Sequence, residues 1–534
     1  MDRGQCMNEK ESDGIVTTPA SAGWIRRPNP LRPLGRSWRR LRRRPAVMQV
    51  RTVLLVVAVI VGLIIWLTLA PSGTPGSPEG AGAAVLPVSA SSTPAPTPVS
   101  QASTSTRGVT AKAINVVFPV ISLSSVSGQF DISSDPEFAQ QDNAIHVYVN
   151  QINHGGGING RKINPIIVPF DPTNTTEQRA LCKQWTEGNP PAFAVLDGIG
   201  AWVGDNQLCI TQEGHTPMIG AWTTITEWTD LGSPYLWWTG ADDAPVLAAV
   251  VDWGLSSGRL GHGKKVGVVV SDQASDQEAL NDDLLPDLKK AGIAPEVETI
   301  SADLGETSST DSDATLAVER LKAAGIQSVI PLLPVNALEP YLGAETSQKF
   351  FPQLLLSDYQ SGIETALGLI PTPYEQALNG QEGVTTELLG MGGNPSKPQS
   401  EGGYDPAVAS CYATWHTTYP NPYKGATNDY IEEQGPIAEW CGVIRLFAQA
   451  ATKAGKDLNR RTFVEGMASI KNFAGTLTPT WTFGPHKMYG PTSYTVVEVH
   501  NNVPPSSQCI LAPNGKPQGT CWVVVQKSKP LPSG

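Results

Sequence analysis

The sequence lacks the common motifs of zinc proteins and of hydrolases. No Cys-x-x-Cys pair occurs among the seven cysteines, and the seven histidines are scattered, which argues against a zinc site. No Gly-x-Ser-x-Gly elbow or Cys-His-Asp motif is present, so a catalytic nucleophile is not indicated. The acid pairs Asp242-Asp243 and Asp282-Asp283 are typical of solvated helix starts or faces. We therefore expect no enzyme, no metal and no other cofactor.

Charge is distributed unevenly along the 534 residues. The first 51 residues hold 12 of the 38 lysines and arginines but 4 of the 49 acidic residues, so the remainder is strongly acidic. This basic segment lacks the apolar periodicity from which a folded signalling domain could be built. We expect a tail that lies against anionic lipid, and we expect no binding of nucleic acid.

An uncharged apolar segment follows, from residue 53 to residue 70. At ~1.5 Å per residue a helix of this length spans about 27 Å, close to the ~30 Å hydrocarbon core of a bilayer. Arginines at 39, 40, 42, 43, 44 and 51 crowd its N-terminal side. The positive-inside rule therefore predicts a single-pass anchor over 52–70, with residues 1–51 in the cytoplasm and the large acidic part outside the cell membrane.

A cleavable signal peptide is the alternative, because Thr68-Leu69-Ala70 offers small residues for cleavage. A retained signal-anchor is favoured, since the apolar part of signal peptides usually spans only ~7–15 residues. No cysteine follows the apolar segment to accept a lipid. Residues 71–110 are rich in Pro, Ser, Thr, Gly and Ala, a composition that predicts a flexible tether.

The cysteines beyond the anchor form an even set, which fits an oxidising compartment. Six cysteines allow 15 pairings, and the sequence does not decide among them. Pairing of nearest neighbours is favoured because short loops close most easily. That pairing joins Cys182 to Cys209, Cys411 to Cys441 and Cys509 to Cys521.

From residue 111 onward, short apolar runs alternate with helical segments. The predicted strands are 114–120, 162–170, 193–196, 265–271, 297–300, 328–333 and 353–357. The predicted helices between them are 176–187, 244–255, 277–291, 314–324 and 338–348. Alternation of this kind indicates α/β architecture with parallel sheets covered on both faces. About 420 residues are too many for one doubly wound unit, so two lobes are expected.

A glycine-rich turn over 150–162 closes a helix and leads into the strand that ends before Asp171. Together with the order of elements and a late helix pair, 437–455 and 461–470, it resembles the type I periplasmic solute-binding family of the leucine/isoleucine/valine-binding class. The resemblance covers about residues 112–500. It implies two doubly wound parallel-sheet lobes joined by a hinge of three crossings. The expected division is 111–240 with 362–475 for lobe I, and 241–361 with 476–534, including a C-terminal extension, for lobe II.

The resemblance also implies that a small molecule is held between the lobes, at the carboxyl ends of the strands. The positions that match the family's ligand loops are Ser125, Ser127, Trp202, Trp222, Thr223 and Thr224 in the first lobe, and Asp272, Asn336, Asp358 and Tyr359 in the second. Trp222 stands where the family usually has a small residue. Ser275-Asp276 stands in the loop after the second lobe's first strand, where the family usually has an aromatic residue. The family's acid that binds a ligand ammonium group comes from the second lobe, and near that position this chain has Asp358 and Tyr359. These departures argue against an ordinary branched-chain amino acid.

Six tryptophans fall between residues 202 and 253. Trp228, Trp237, Trp238 and Trp253 are expected in the core, whereas Trp202 and Trp222 follow Gly-Ala in strand-end loops and are candidates for the cleft wall. Aromatic walls suit apolar, aromatic or quaternary-ammonium ligands. The predicted function is capture of an amino acid, amide or related apolar or aromatic solute for the membrane subunits of an ABC-type importer. The alternative is a ligand-sensing receptor that acts through a membrane partner.

Overall fold

The structure is a computed structural model. It describes residues 102–122, 140–171, 174–198, 206–221, 225–261, 263–302, 307–359, 375–387, 405–420, 436–500, 510–511 and 521–532. The chain divides into two compact units, 1–89 and 90–534, and every described residue belongs to the second unit. The predicted tail and anchor lie outside the described residues. Among the described residues, no helix has both the length and the apolar character needed to cross a membrane.

The first lobe is built on a sheet of five parallel strands. They are β1 (Ala113–Ile121), β2 (Lys162–Phe170), β3 (Ala194–Asp197), β4 (Met218–Gly220) and β5 (Leu236–Trp238). Their order is β2-β1-β3-β4-β5, so the direction of winding reverses between β1 and β3. β3, β4 and β5 are buried along their whole length, which explains their nearly uninterrupted apolar sequences.

Helices cover both faces of this sheet. In chain order they are α1 (Gln141–His154), α2 (Thr175–Glu187), α3 (Asn206–Leu208, continued by a π-helical turn over Cys209–Glu213) and α4 (Thr226–Gly232). Three further helices of this lobe, described below, come from the C-terminal part of the chain. One core lies between the sheet and α1, and a second core on the opposite face surrounds Cys182 and Cys209.

The second lobe contains an eight-stranded mixed sheet. Its strands are β6 (Val266–Ser271), β7 (Glu296–Ile300), β8 (Ser328–Leu332), β9 (Gln353–Ser357), β10 (Glu382–Thr385), β13 (Ser493–His500), β14 (Ile510–Leu511) and β15 (Cys521–Pro530). The order is β14-β15-β13-β10-β9-β8-β6-β7. The strands from β10 to β7 are parallel, and β13, β14 and β15 add antiparallel strands at one side. The parallel part therefore repeats the winding of the first lobe, with its reversal between β6 and β8.

The helices of the second lobe cover both faces of this sheet, and two separate cores result. They are α5 (Asp243–Ser256), α6 (Ala274–Glu278 followed by a π-helical segment over Ala279–Leu284 and by Leu285–Lys290), α7 (Thr307–Ala324), α8 (Val335–Gln348) and the short α9 (Glu375–Leu378). The predicted helices and strands of this region are confirmed with small differences at their ends, except that α7 begins at Thr307 and not at residue 314.

After β10 the chain returns to the first lobe. It forms α10 (Pro406–Trp415), α11 (Pro436–Lys453), α12 (Arg460–Ala468) and the small hairpin β11 (Phe473–Ala474) and β12 (Thr480–Trp481). Trp440, Phe447 and Phe463 from these helices are fully buried in the core beneath β1 and β3. The late helix pair that contributed to the resemblance thus completes the first lobe.

The expected lobe boundaries are wrong at two places. β10 pairs in parallel with β9, so residues 382–385 belong to the second lobe and not to the first. Its sequence Glu-Gly-Val-Thr has one strongly apolar residue, yet all four residues are buried, which is why no strand was predicted there. In addition, Leu477, Phe483 and Met488 pack in the first lobe's core, so the last crossing begins after residue 488 and not at 476.

The glycine-rich turn forms as predicted. α1 ends at His154, β2 begins at Lys162, and Gly156, Gly157 and Gly160 adopt positive φ angles of 102°, 71° and 84°. A side chain on Gly157 would place its Cβ 2.1 Å from the carbonyl oxygen of Arg161. Glycine is therefore required at this position by both backbone angle and space.

Two of the three expected disulfides lie within the described side chains. Cys182 is bonded to Cys209 and joins α2 to the turn after α3, and Cys411 is bonded to Cys441 and joins α10 to α11. Both match the nearest-neighbour pairing. The third expected disulfide joins Cys509 to Cys521. Cys509 lies outside the described residues, so this pairing stays a prediction.

The chain enters the first lobe through residues that were assigned to the flexible tether. The carbonyl oxygens of Ser103 and Ser105 accept hydrogen bonds from the backbone N–H groups of Arg461 and Arg460, at 2.8 and 3.0 Å. The N–H of Ser103 donates to the Tyr235 hydroxyl at 2.6 Å. Because the first N–H groups of α12 lack partners within the helix, this segment satisfies them. Residues 102–110 are thus part of the lobe, and a tether reaching residue 110 is a wrong prediction.

Candidate functional site

The two parallel sheets direct their carboxyl ends toward the segments that join the lobes. β5 ends at Trp238, and residues 239–242 lead directly into α5 of the second lobe. A second crossing joins β10 to α10, and a third leads from Met488 to β13. Open α/β sheets bind ligands outside the carboxyl ends of their strands, where the winding reverses. The carboxyl edges of β1, β3, β6 and β8 therefore define the candidate site.

The candidate ligand residues of the first lobe lie outside the described residues. They are Ser125, Ser127, Trp202, Trp222, Thr223 and Thr224. Each follows a strand that the structure does contain, namely β1, β3 or β4. Their contact with a ligand stays a prediction.

Asp272 and Asn336 of the second lobe are both hydrogen-bonded to the backbone of Ala302, just after β7. Asp272 Oδ1 accepts a hydrogen bond from the N–H of Ala302 at 3.0 Å, and Asn336 Nδ2 donates to the carbonyl oxygen of Ala302 at 2.9 Å. Asp272 follows β6 and Asn336 lies in the first turn of α8. The two side chains thus fix the relative positions of three loops at the carboxyl edge of the sheet.

Tyr359 and Asp358 belong to a buried polar network at the same edge. The Tyr359 hydroxyl donates to Asp276 Oδ1 at 2.7 Å, and the Ser271 hydroxyl donates to Asp276 Oδ2. Asp358 Oδ2 accepts hydrogen bonds from the backbone N–H and from the hydroxyl of Thr386, the latter at 2.7 Å. Tyr359 therefore brings an aromatic ring to Asp276, the position where the sequence lacked one. This contact needed the structure, because 83 residues separate the two side chains.

Two buried acids at the carboxyl edge of the first sheet were not singled out from the sequence. Asp197 ends β3 and Glu439 lies in the first turn of α11, where they are 1% and 2% exposed. A Cβ on Gly198 would lie 2.6 Å from the Trp440 ring, which shows how closely α11 approaches the end of β3. Burial and the charge of Asp197 together raise the pKa of Glu439 to about 8. The signal was present in the sequence, because Glu439 shares a helix face with the apolar residues 443, 446, 447 and 450.

The acids Asp242 and Asp243 lie at the first crossing and are buried. Asp243 Oδ1 accepts hydrogen bonds from the backbone N–H and the hydroxyl of Thr226, both at 2.7 Å, and Asp242 Oδ1 accepts one from the Thr229 hydroxyl at 3.0 Å. Burial raises the pKa of Asp242 well above its ordinary value, and the charge of Asp243 adds to this. Asp243 does begin a helix, but its expected solvation is wrong because donors of α4 replace water.

The third crossing lies beside the first and is held by Lys487. Lys487 Nζ donates to the carbonyl oxygens of Thr482, Tyr489 and Pro491 at 2.9, 2.6 and 2.8 Å, and lies 3.8 Å from the centre of the Tyr489 ring. The backbone of Trp238, the last residue of β5, donates to Met488 at 2.9 Å. These contacts tie two of the connecting segments together.

The sequence matches a family model where these elements lie. Residues 122–353 match the family described as periplasmic binding protein. The match begins just after β1 and ends at the first residue of β9, so it includes the first crossing and the strands from β2 to β8. Over these residues the chain is similar to the periplasmic binding protein family. The family is one of binding proteins and not of enzymes. None of the curated proteins matches the sequence.

Solved structures of solute-binding proteins of ABC transporters share the fold. A fatty acid ABC transporter substrate-binding protein from Thermomonospora curvata has 18% identity and a TM-score of 0.55, with 79% of this chain and 93% of that chain covered. A branched-chain amino acid ABC transporter protein from Thermus thermophilus with bound valine has 15% identity and a TM-score of 0.55, with coverage of 79% and 97%. A solute-binding protein from Rhodopseudomonas palustris BisB5, in complex with 3,4-dihydroxybenzoic acid, has 15% identity and a TM-score of 0.53, with coverage of 78% and 98%.

Three of the four tryptophans that were expected in the core lie in it, and the fourth packs against it. Trp237 is fully buried, and Trp238 and Trp253 are nearly so. Trp228 of α4 is half-buried and packs against cores of both lobes. Trp202 and Trp222 lie outside the described residues, and their place in the cleft stays a prediction.

Proposed function

We propose that this chain is an extracytoplasmic solute-binding protein that captures a small molecule between its lobes and presents it to the membrane subunits of an ABC-type importer. The observation that carries the proposal is the repetition of one winding order in two sheets. In each sheet the direction reverses at one strand pair, and the carboxyl edges of both pairs lie toward the connecting segments. Two such edges on either side of a hinge suit a ligand that both lobes contact.

The class of ligand that we propose is an amino acid, an amide or a related apolar or aromatic solute. Proteins of the same fold bind valine, a fatty acid transporter's substrate or 3,4-dihydroxybenzoic acid, as their names state. Tryptophans at 202 and 222 would supply an apolar wall. We propose that ligand contacts come from Ser125, Ser127, Trp202, Trp222, Thr223 and Thr224 on the first lobe and from the edge held by Asp272, Asn336, Asp358 and Tyr359 on the second.

Binding can be tested on the full chain purified in detergent. Native mass spectrometry first identifies any copurified solute, and thermal shift with calorimetry then screens amino acids, amides, betaines and aromatic acids. A true ligand at a hundredfold excess over its dissociation constant should stabilise the fold by about 2.7 kcal/mol and change tryptophan fluorescence.

Two variants separate loss of binding from loss of folding. Trp222→Ala should weaken ligand binding and leave the free energy of unfolding nearly unchanged. Trp253→Ala is the control, because this ring is 3% exposed in the core of the second lobe and its truncation should cost about 3–5 kcal/mol of stability. A folded protein that binds none of the solutes tested would contradict the proposal and favour a receptor for another kind of partner.

A further inference from the structure

The acids Asp197 and Glu439 lie at the end of the first sheet where a ligand is expected. α11 runs antiparallel to the strands of this sheet. Near its C-terminal end, the carbonyl oxygens of Ala451 and Thr452 accept hydrogen bonds from Asn159, which lies just before β2 begins. The first turn of the same helix packs on Gly198, just after β3 ends. Glu439 therefore lies at the carboxyl edge, close to the reversal between β1 and β3.

One oxygen atom of the buried Glu439 carboxyl group lacks a hydrogen-bond partner. The residue is 2% exposed, and its Oε1 atom receives no hydrogen bond. Burying such a group unpaired costs about 1–3 kcal/mol, and more when it is charged. The charge that acts on it comes from Asp197, which is a second acid.

A hydrogen-bond donor that carries positive charge would satisfy this arrangement. It would donate to the unpaired oxygen of Glu439 and offset the repulsion that arises between the two carboxyl groups when Glu439 ionises. A carboxylate would be repelled, and a quaternary ammonium group has no proton to donate. We propose, on the basis of the solute-binding function proposed above, that Asp197 and Glu439 form a subsite for the protonated amine of the ligand.

This subsite lies on the first lobe, whereas the family resemblance places the acid for an ammonium group on the second. At pH 7 Glu439 holds a proton, because its pKa is about 8 in the ligand-free protein. A bound ammonium group favours the ionised carboxylate, so the proton is released to solvent on binding. The positive charge that the ammonium group brings to the subsite equals the charge that leaves with the proton of Glu439, so no further reactant is needed.

The test compares matched pairs of solutes that differ in the amine. We name L-leucine with 4-methylpentanoate, and 4-(aminomethyl)benzoate with 4-methylbenzoate, each titrated into the detergent-purified full chain by calorimetry at pH 7. The amine of each pair should bind about tenfold or more tightly than its partner. Titration in buffers of different ionisation enthalpy should show release of about one proton for each amine bound.

Glu439→Gln keeps the side-chain shape and removes the acid. It should abolish both the amine preference and the proton release, while affinity for 4-methylbenzoate or 4-methylpentanoate stays the same or rises. Glu345→Gln is the matched control, since Glu345 is equally buried but lies near the end of α8, just before the chain enters the opposite edge of the second sheet at β9. It should leave both readouts unchanged.

The outcomes separate the two proposals. Binding of carboxylates without an amine preference, or an amine preference that survives in Glu439→Gln, overturns the subsite and leaves the solute-binding function intact. A folded protein that binds neither member of any pair, nor any other solute of the wider screen, overturns both.

Discussion

At the scale of single residues, the buried acids are the least ordinary feature of this protein. Asp243 Oδ1 is fully occupied by donors of Thr226 and Ala244, but its Oδ2 receives no hydrogen bond from an amide or hydroxyl. Asp283 of α6 approaches it closely enough for a side-chain hydrogen bond. When Asp283 is protonated, its carboxyl group can donate this missing hydrogen bond to Asp243 Oδ2. Burial and the charge of Asp243 accordingly raise the pKa of Asp283 to about 8.

This proton predicts a pH dependence of stability. An unfolded aspartate titrates near pH ~3.9, so the folded state holds the proton between about pH 4 and pH 8 while the unfolded state does not. The stabilisation is complete below about pH 4 and is lost as pH rises through 8. Asp283→Asn donates to Asp243 at every pH. We expect it to reduce the decrease in unfolding free energy between pH 5 and pH 8 by about 1–3 kcal/mol, after allowance for solvent screening.

Urea unfolding at several pH values measures this effect. Asp282→Asn is the control, because Asp282 is the exposed neighbour and its charge contributes less than burial and Asp243 to the raised pKa of Asp283, so the pH profile should change far less. An Asp283→Asn profile parallel to that of the unmodified protein would rule out the shared proton.

Some of the buried acids could be predicted from the sequence and others could not. Glu439 is visible as an acid within an apolar helix face, and attention to that pattern would have found it. The burial of Asp242 and Asp243 could not be predicted from the sequence. A pair of acids before a helix is the same sequence pattern whether water or the hydroxyl groups of Thr226 and Thr229 surround the carboxyl groups. Those hydroxyl groups belong to another helix, and only the folded chain brings them there.

At the scale of elements, periodicity predicted the strands that are buried and apolar and missed those that are short or polar. β6 and β8 were predicted because nearly every residue is Val, Ile or Leu. β10 was missed, since a buried strand of Glu-Gly-Val-Thr depends on its neighbours and not on its own composition. Pairing of β10 with β9 on one side and β13 on the other supplies what the local sequence does not.

The glycine-rich turn between α1 and β2 allows a sharp test of element geometry. Gly157→Ala combines a positive φ with a Cβ 2.1 Å from the Arg161 carbonyl oxygen, whereas Gly160→Ala has a positive φ and no atom within 4 Å. We expect Gly160→Ala to cost about 1–2 kcal/mol for its backbone angle alone. Gly157→Ala should cost about 1–3 kcal/mol more, because the turn must shift. Chemical denaturation of the two variants side by side gives the difference, and equal costs would contradict the described close approach.

At the scale of the whole molecule, the resemblance predicted two lobes and a hinge, and the structure confirms a two-lobed α/β fold of this type. The cleft residues of the first lobe could be named only by matching loops, because loop conformation depends on the ligand and on distant contacts. The membrane anchor over 53–70 rests on hydropathy and flanking arginines, and it stays a prediction.

The anchor can be tested on intact cells. If it is retained, protease added outside should release a fragment that begins between residues 71 and 101, while the arginine-rich tail stays protected. Cleavage should stop before residue 102, since the backbone of Ser103 and Ser105 is hydrogen-bonded to α12. Recovery of a soluble exported protein that begins at Pro71 would show instead that the apolar segment is a signal peptide.

The hydrogen bonds that hold residues 102–110 have a mechanical consequence. If the predicted anchor is retained, tension from the N-terminal side is applied to the first lobe at Ser103, beside Tyr235 and the first turn of α12. Both contacts belong to the first lobe, so the load ends there without passing through Lys487 or the acids of the crossings. If the predicted anchor is retained, the first lobe is therefore the one held near the membrane. The second lobe would then be free to move relative to it when a ligand binds.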